Sequence, residues 1–118
     1  MPPARQPSHK LPLQPNVFLI LLALADGDAH GYRLRQAVID KSQGSVVLDP
    51  GSLYRLLARM FEDGLVADTG TRSSSEDDER RRYYALTAQG RAVLSAETER
   101  MAGLVAASRA IAKRRRHA

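Results

Sequence analysis

Arg55 and Arg59 stand about one helical turn apart in the segment DPGSLYRLLARMFEDGLV (Asp49–Val66), with Ser52 and Tyr54 beside them. A guanidinium offers parallel N–H donors that match guanine O6 and N7, and its charge matches a phosphate. Hydroxyls such as those of Ser52 and Tyr54 donate to phosphate oxygens. Gly51 has no side chain to hold a polyanion away, and the Gly51 and Ser52 amides fall where a helix dipole favours an anion. More donors follow downstream, in Arg72 and in Arg80, Arg81 and Arg82 with Tyr83; Tyr32 and Arg33 open another element. This is chemistry for holding a polyanion. No phosphate-cradling glycine loop, nucleophile elbow or scaffolded carboxylate pair accompanies it, so no enzymatic activity is expected.

Such side chains need elements to aim them. Asp49 at the N-cap and Pro50 at the first helical position start a helix, and Gly64 supplies the left-handed position that ends it. Leu53, Leu56, Leu57 and Met60 recur at helical spacing, with Phe61 broadening the stripe, and Arg55, Ala58, Arg59 and Glu62 take the opposite side. Upstream, Asn16 is a reasonable cap for a helix over Val17–Ala25, apolar nearly all round and so buried on several sides, by the core or by a second subunit. A second helix runs from about Gly31 to Ser42 on the narrow stripe Leu34, Ala37 and Val38. Leu65–Thr69 and RRYYALT read as two strands around the polar segment GTRSSSEDDER, with Tyr84 and Leu86 on one face and Tyr83 on the other. Thr87 caps a last helix from about Ala88 to Ala112, whose broken stripe is Leu94, Met101, Leu104, Val105 and Ile111. Glu97 and Thr98 interrupt it where a heptad would place core residues.

The order helix, helix, helix, strand, strand, helix predicts a mainly α winged helix-turn-helix, three helices and a two-stranded wing, with a long C-terminal dimerisation helix. Its parts are a flexible arm (1–15), the DNA-binding domain (16–87), the dimerisation helix (88–112) and a basic tail (113–118). In so short a chain the last helix finds its partner in a second copy, giving a two-fold dimer. Val17, Phe18 and Leu21 of the first helix join Leu94, Met101, Leu104, Val105 and Ile111 as candidate interface residues. Two recognition helices would then stand about 34–36 Å apart, one turn of duplex.

Composition agrees. The 118 residues carry a net charge of +5 and a pI near 10.1, the footprint of a polyanion binder. With no cysteine, disulfides and thiolate metal sites are excluded. His9, His30 and His117 lack ligand spacing, so no metal or cofactor is expected, and His30 is left to cap or pack near the second helix. The longest apolar run, Val17–Ala25, is too short to span a membrane, no secretory signal is evident, and the chain reads as cytoplasmic. Glu76–Glu79 put acid at the wing tip and read first as a solvated loop; the run would repel DNA if pressed against it, and the alternatives are that it pairs with the wing's own arginines, stays disordered or limits non-specific binding. Lys113–Arg116 read as a charged, frayed end.

Three segments together, LLALADGDAHGYRLRQAV (Leu21–Val38), DPGSLYRLLARMFEDGLV (Asp49–Val66) and RRRYYALTAQGRAVL (Arg80–Leu94), resemble the PadR family of bacterial transcriptional regulators. The family's His-Gly-Tyr is matched by His30, Gly31 and Tyr32, its Pro-Gly-(Ser or Thr)-Leu-Tyr by Pro50 to Tyr54, and its Tyr-x-Leu-Thr-x-x-Gly by Tyr84, Leu86, Thr87 and Gly90. The resemblance implies a homodimeric, sequence-specific regulator on a (pseudo)palindromic operator, usually a repressor, relieved by a small-molecule effector or another signal. The short C-terminal region resembles the smaller subgroup with a single dimerisation helix. Family tyrosines map onto Tyr32, Tyr54 and Tyr83 or Tyr84, with Tyr54 expected to give its hydroxyl to a phosphate. The alternatives are a winged helix that contacts protein, consistent with the acidic tip, and a basic RNA-associated protein.

Overall fold

The computed structural model describes residues 10–73 and 80–117. Its elements run α1 (Pro15–Ala25), β1 (Ala29–His30), α2 (Gly31–Lys41), α3 (Pro50–Glu62), β2 (Val66–Ser73), β3 (Arg80–Leu86) and α4 (Ala88–Arg116). This is a mainly helical winged helix carrying one small antiparallel sheet. The acidic run at the wing tip and the first residues of the arm lie outside the described residues.

α1 is the hub, touching α2, α4 and β3. Ile20 and Leu21 are fully buried and Leu24 nearly so; each such side chain contributes about 1.5–3 kcal/mol before chain entropy is counted. α2 adds Leu34 and Val38, α3 adds Leu53, Leu57 and Met60, and α4 adds Val93 to the same core. α1 begins at Pro15, and Asn16 lies inside its first turn, so Asn16 is not the cap. Proline needs no amide partner and takes the opening position, after a Gln14 whose side chain makes no cap bond. The arm is not loose up to residue 15 either, because Leu13 is buried against the core and Leu11 packs beside it.

α3 starts and stops on local chemistry. Asp49 accepts the Ser52 amide at 2.8 Å. At the far end Gly64 has φ +78°, and its amide donates to the Phe61 carbonyl at 3.0 Å while the Leu65 amide donates to Met60 at 2.9 Å. That pair of bonds closes the helix and drops the fully buried Leu65 into the core. Phe61 does not broaden the buried stripe as expected. It is 55% exposed, because the buried arc is filled by Leu53, Leu57 and Met60 and Phe61 falls beyond its edge.

The sheet has three strands, not the two expected, in the order β1-β3-β2. Ala29 pairs with Tyr84 and His30 with Tyr83, so the wing is anchored through its second strand to the start of α2. β2 pairs with β3 from Val66↔Leu86 to Ser73↔Arg80, with an irregularity between Asp68 and Gly70. There the Asp68 carboxylate accepts the Gly70 amide at 2.8 Å, and Gly70 has φ +92°, a conformation glycine adopts freely.

Thr87 caps α4 as expected: its Oγ1 accepts the Gly90 amide at 2.9 Å and donates to the Gly64 carbonyl at 2.6 Å. The helix does not end near Ala112. It runs through Lys113–Arg116, so these residues form its last turn and are not a frayed tail. Alanine and arginine are good helix formers, and positive charge is favoured at a helix C-terminus.

Candidate nucleic-acid interface

The exposed side of α3 carries Gly51, Arg55, Ala58, Arg59 and Glu62, with Ser52 half-buried at its edge. The Arg59 side chain makes no hydrogen bond or ion pair with any described residue. Ser52 and Arg55 are engaged. The Ser52 hydroxyl donates to Asp49 Oδ2 at 2.9 Å and accepts from Arg55 Nη2 at 3.2 Å. The Ser52 amide, expected to be open to a phosphate, is already given to Asp49. The amide and hydroxyl of Ser52, with the Arg55 charge nearby, hold the Asp49 carboxyl below its ordinary range. The first turn of α3 thus carries its own anion, which corrects the idea of a free amide cradle there.

Tyr54 is half exposed and leans toward the start of α2. A Cβ at Gly31 would come within 2.8 Å of Tyr54 Cζ and closer still to its hydroxyl, so the missing side chain at Gly31 is what lets the tyrosine lie there. On the same flank, Tyr54, Ala58, Phe61, Asp68 and Tyr84 line an open groove between α3 and the wing. Burial first, then the nearby Tyr54 and Asp68, raise the Tyr84 hydroxyl pKa.

The register of β2 and β3 divides the wing's side chains between two faces. On one, Arg80, Arg82 and Tyr84 alternate. Arg80 Nη2 donates to the Thr71 carbonyl at 2.8 Å, and Arg82 pairs with Asp68 at 2.5 Å. The Gly70 amide first, and Arg82 second, hold the Asp68 carboxyl below its usual range. On the other face lie Arg81 and Tyr83. The Arg72 guanidinium sits 3.9 Å from the Tyr83 ring centroid and 3.6 Å from Asp28, and Arg81 sits 5.8 Å from the Tyr32 ring. His30 joins this stack edge-on to Tyr83 at 5.3 Å.

His30 both caps and packs. It is 2% exposed, and its Nδ1 accepts the Arg33 amide at 3.3 Å, opening α2. Tyr32 and Arg33 follow on the exposed start of that helix. The structure therefore brings Tyr32, Arg72, Arg81 and Tyr83 into one aromatic and cationic cluster. It leaves Arg80 and Arg82 on the opposite face of the wing, the face whose Asp68 and Tyr84 line a groove with Tyr54 of α3.

The residues expected at a subunit interface divide as well. Val17 and Leu21 are 5% and 0% exposed within the chain. They belong to its own core, because α1 is enclosed by α2, α4 and β3, and they have no surface to offer. Phe18, Leu94 and Met101 are half-buried, while Leu104, Val105 and Ile111 stand out on the part of α4 that reaches past the domain.

Sequence reasoning passed over Glu97, treating it as a flaw in a heptad. It is 2% exposed, accepts the Leu13 amide at 2.8 Å, and takes both Nε and Nη2 of Arg100. The Arg100 bond outweighs burial and keeps the carboxyl pKa below its ordinary value. An acid at a core position with an arginine three residues on was the available signal. Glu97 and Arg100 also border an open apolar groove of about 400 Å³ with Leu13, Phe18, Leu19 and Met101. Among the described residues no group of acids and histidines is arranged to hold a metal, and no helix is long and apolar enough to cross a membrane.

Comparison with known proteins agrees with this architecture. The transcriptional regulator PadR-like family matches residues 20–96. An uncharacterized 37.1 kDa protein from a transposon of Streptomyces fradiae is 42% identical over 86 residues, which are 73% of this chain and 23% of that protein. The chain thus spans about a quarter of that relative's length. A PadR family regulator from Clostridium difficile shares the fold with a TM-score of 0.68 at 22% identity, covering 81% of this chain and 96% of its own. Bacillus subtilis PadR, solved in complex with operator DNA, has a TM-score of 0.57 at 19% identity over 67% of this chain and 44% of its own. The chain belongs to the PadR-like family of transcriptional regulators.

Proposed function

We propose that the protein binds duplex DNA in a sequence-specific way as a homodimer, occupying a (pseudo)palindromic operator and repressing the adjacent genes in the cytoplasm until an effector of unknown identity releases it. The observation that carries this reading is the face of α3, where Arg55 and Arg59 project from a helix docked by Leu53, Leu57 and Met60. A family relative solved with operator DNA supports it. In this reading α3 lies in the major groove, Arg55 and Arg59 reach bases or phosphates, and Tyr54 gives its hydroxyl to the backbone. Arg72, Arg80, Arg81, Arg82 and Tyr83, with Tyr32 and Arg33, hold flanking phosphates. For the wing arginines this means exchanging internal partners for phosphate.

The test is a gel shift with the promoter of the protein's own gene against a scrambled duplex of equal length. Selective binding whose log affinity falls with log salt by about 0.9 per phosphate contacted supports the reading. Weak, equal binding to both duplexes favours a second reading, a winged helix that contacts protein. The internal pairing of Arg72 with Asp28 and of Arg82 with Asp68 speaks for that alternative.

Two mutations separate the DNA surface from the dimer. Arg55→Ala is expected to cost about 1–3 kcal/mol of operator affinity with the dimer intact; unchanged binding removes Arg55 from the site. In this reading Leu104, 59% exposed, belongs to the subunit interface together with Val105, Ile111, Met101, Leu94 and Phe18. Leu104→Glu is expected to shift the protein toward monomer in sedimentation at micromolar concentration, and an undisturbed dimer places the interface elsewhere.

A further inference from the structure

The first turn of α3 is organised around one side chain. Asp49 binds Ser52 twice, through the amide and the hydroxyl, and that same hydroxyl oxygen accepts Arg55 Nη2 at 3.2 Å. A Cβ built on Gly51 would lie 3.3 Å from Arg55 Nη1 and 3.3 Å from Asp49 Oδ1. The guanidinium therefore folds back over the bare Cα of Gly51, toward the helix N-terminus. A serine whose amide and hydroxyl both serve the protein is poorly placed to serve a nucleic acid. An arginine already held in one orientation loses less freedom on binding and presents its remaining N–H donors in a fixed plane.

We propose that Ser52, anchored by Asp49, is a positioning residue that sets Arg55 to read one guanine per half-site, and that Ser52 makes no DNA contact of its own. This rests on the DNA-binding reading above and sharpens it, because it assigns base selection to Arg55 and orientation to the Asp49–Ser52 pair. A side chain at Gly51 would press on the guanidinium, which would have to shift by a few tenths of an ångström. Guanine is the base whose O6 and N7 accept two parallel N–H groups from a planar donor.

The experiment begins with wild-type protein and a randomised duplex pool. Affinity is then measured for an enriched duplex, for copies in which each guanine in turn is replaced by 7-deazaguanine, and for a scrambled duplex. The proteins are wild type, Ser52→Ala, Ser52→Thr, Arg55→Ala and the double variant, each first checked for its melting temperature. One 7-deazaguanine position is expected to cost wild type about tenfold and Arg55→Ala nothing. Ser52→Ala is expected to lose about three- to tenfold on the enriched duplex, with its scrambled-duplex affinity and salt slope unchanged. Ser52→Thr keeps the hydroxyl and wild-type discrimination, and Ser52→Ala adds no loss once Arg55 is gone. Equal losses by Ser52→Ala on both duplexes with a shallower salt slope make Ser52 a phosphate contact and overturn the proposal. So do additive losses in the double variant, or the absence of any 7-deazaguanine position that distinguishes wild type from Arg55→Ala. If wild type enriches no sequence, the DNA-binding reading itself fails and takes this assignment with it; enrichment without the Ser52 pattern overturns only the assignment.

Discussion

Gly90→Ala is expected to destabilise the protein by about 2 kcal/mol, even though alanine is the better helix former by about 1 kcal/mol. The added methyl would run into the Leu65 carbonyl oxygen, and lie 3.0 Å from both the Leu65 carbonyl carbon and Leu86 Cδ2. A backbone carbonyl cannot step aside as the end of a long side chain can. The Leu65 carbonyl also accepts the Thr87 amide at 3.2 Å, and Gly64 accepts the Thr87 hydroxyl, so the start of α4 is seated on this turn from two directions. Urea unfolding monitored by circular dichroism measures the effect. A midpoint at or above wild type shows that α4 slides along the Gly64–Leu65 turn without cost.

Glu97→Ala is expected to cost a comparable amount, about 2 kcal/mol. It leaves the Leu13 amide without its acceptor and Arg100 without its carboxylate. Because Arg100 is 36% exposed, water recovers part of its loss, which keeps the figure below that of a fully buried pair. Glu97→Gln retains an acceptor for Leu13 and should lose less; equal losses in both variants locate the effect in the Arg100 pair alone. The effect depends on pH in a defined direction. The folded-state pKa of Glu97 lies below its ordinary value of 4.5, so its contribution is complete above that value and fades as pH falls through the lower, folded one. The difference between wild type and Glu97→Ala should therefore narrow in acid. A difference that stays constant down to the acid transition means the carboxylate's charge contributes nothing.

What the sequence revealed and what it hid follow from the range of the interactions. The two ends of α3 were legible because Asp49, Pro50 and Gly64 act within one turn of the helix they bound. The exposed face of α3 was legible for the same reason, since helical period alone opposes Arg55 and Arg59 to Leu53 and Leu57. The strand Ala29–His30 was not legible. Two residues have no periodicity, and they form a strand only because Tyr83 and Tyr84, more than fifty positions later, lie against them. Glu97 was misread in the same way, because the amide that justifies its burial belongs to Leu13, 84 positions earlier. Val17 and Leu21 show a third case. A helix apolar on every side announces burial, yet its own sequence does not say whether the cover comes from the same chain or from another. Phe61 obeys the period of the stripe but falls past its edge, a matter of how wide an arc the core covers.

At 29 residues, α4 is about 43 Å long, taking the usual rise of 1.5 Å per residue. Its buried residues, Gly90, Val93 and Glu97, lie in its first three turns, Arg100 and Met101 are half-buried in the fourth, and from Ala102 onward its residues are exposed. It is a lever with its fulcrum at one end. A tilt of about 5° at the foot moves the far end by about 4 Å, on that length. In the proposed dimer two such arms are crossed or clasped, so the separation of the two reading heads is set at the fulcrum and magnified along the shaft. The arm segment that Glu97 fastens lies beside that fulcrum. In the proposed dimer, loosening Leu13 from Glu97 would alter the seat from which the spacing of the two α3 helices is set.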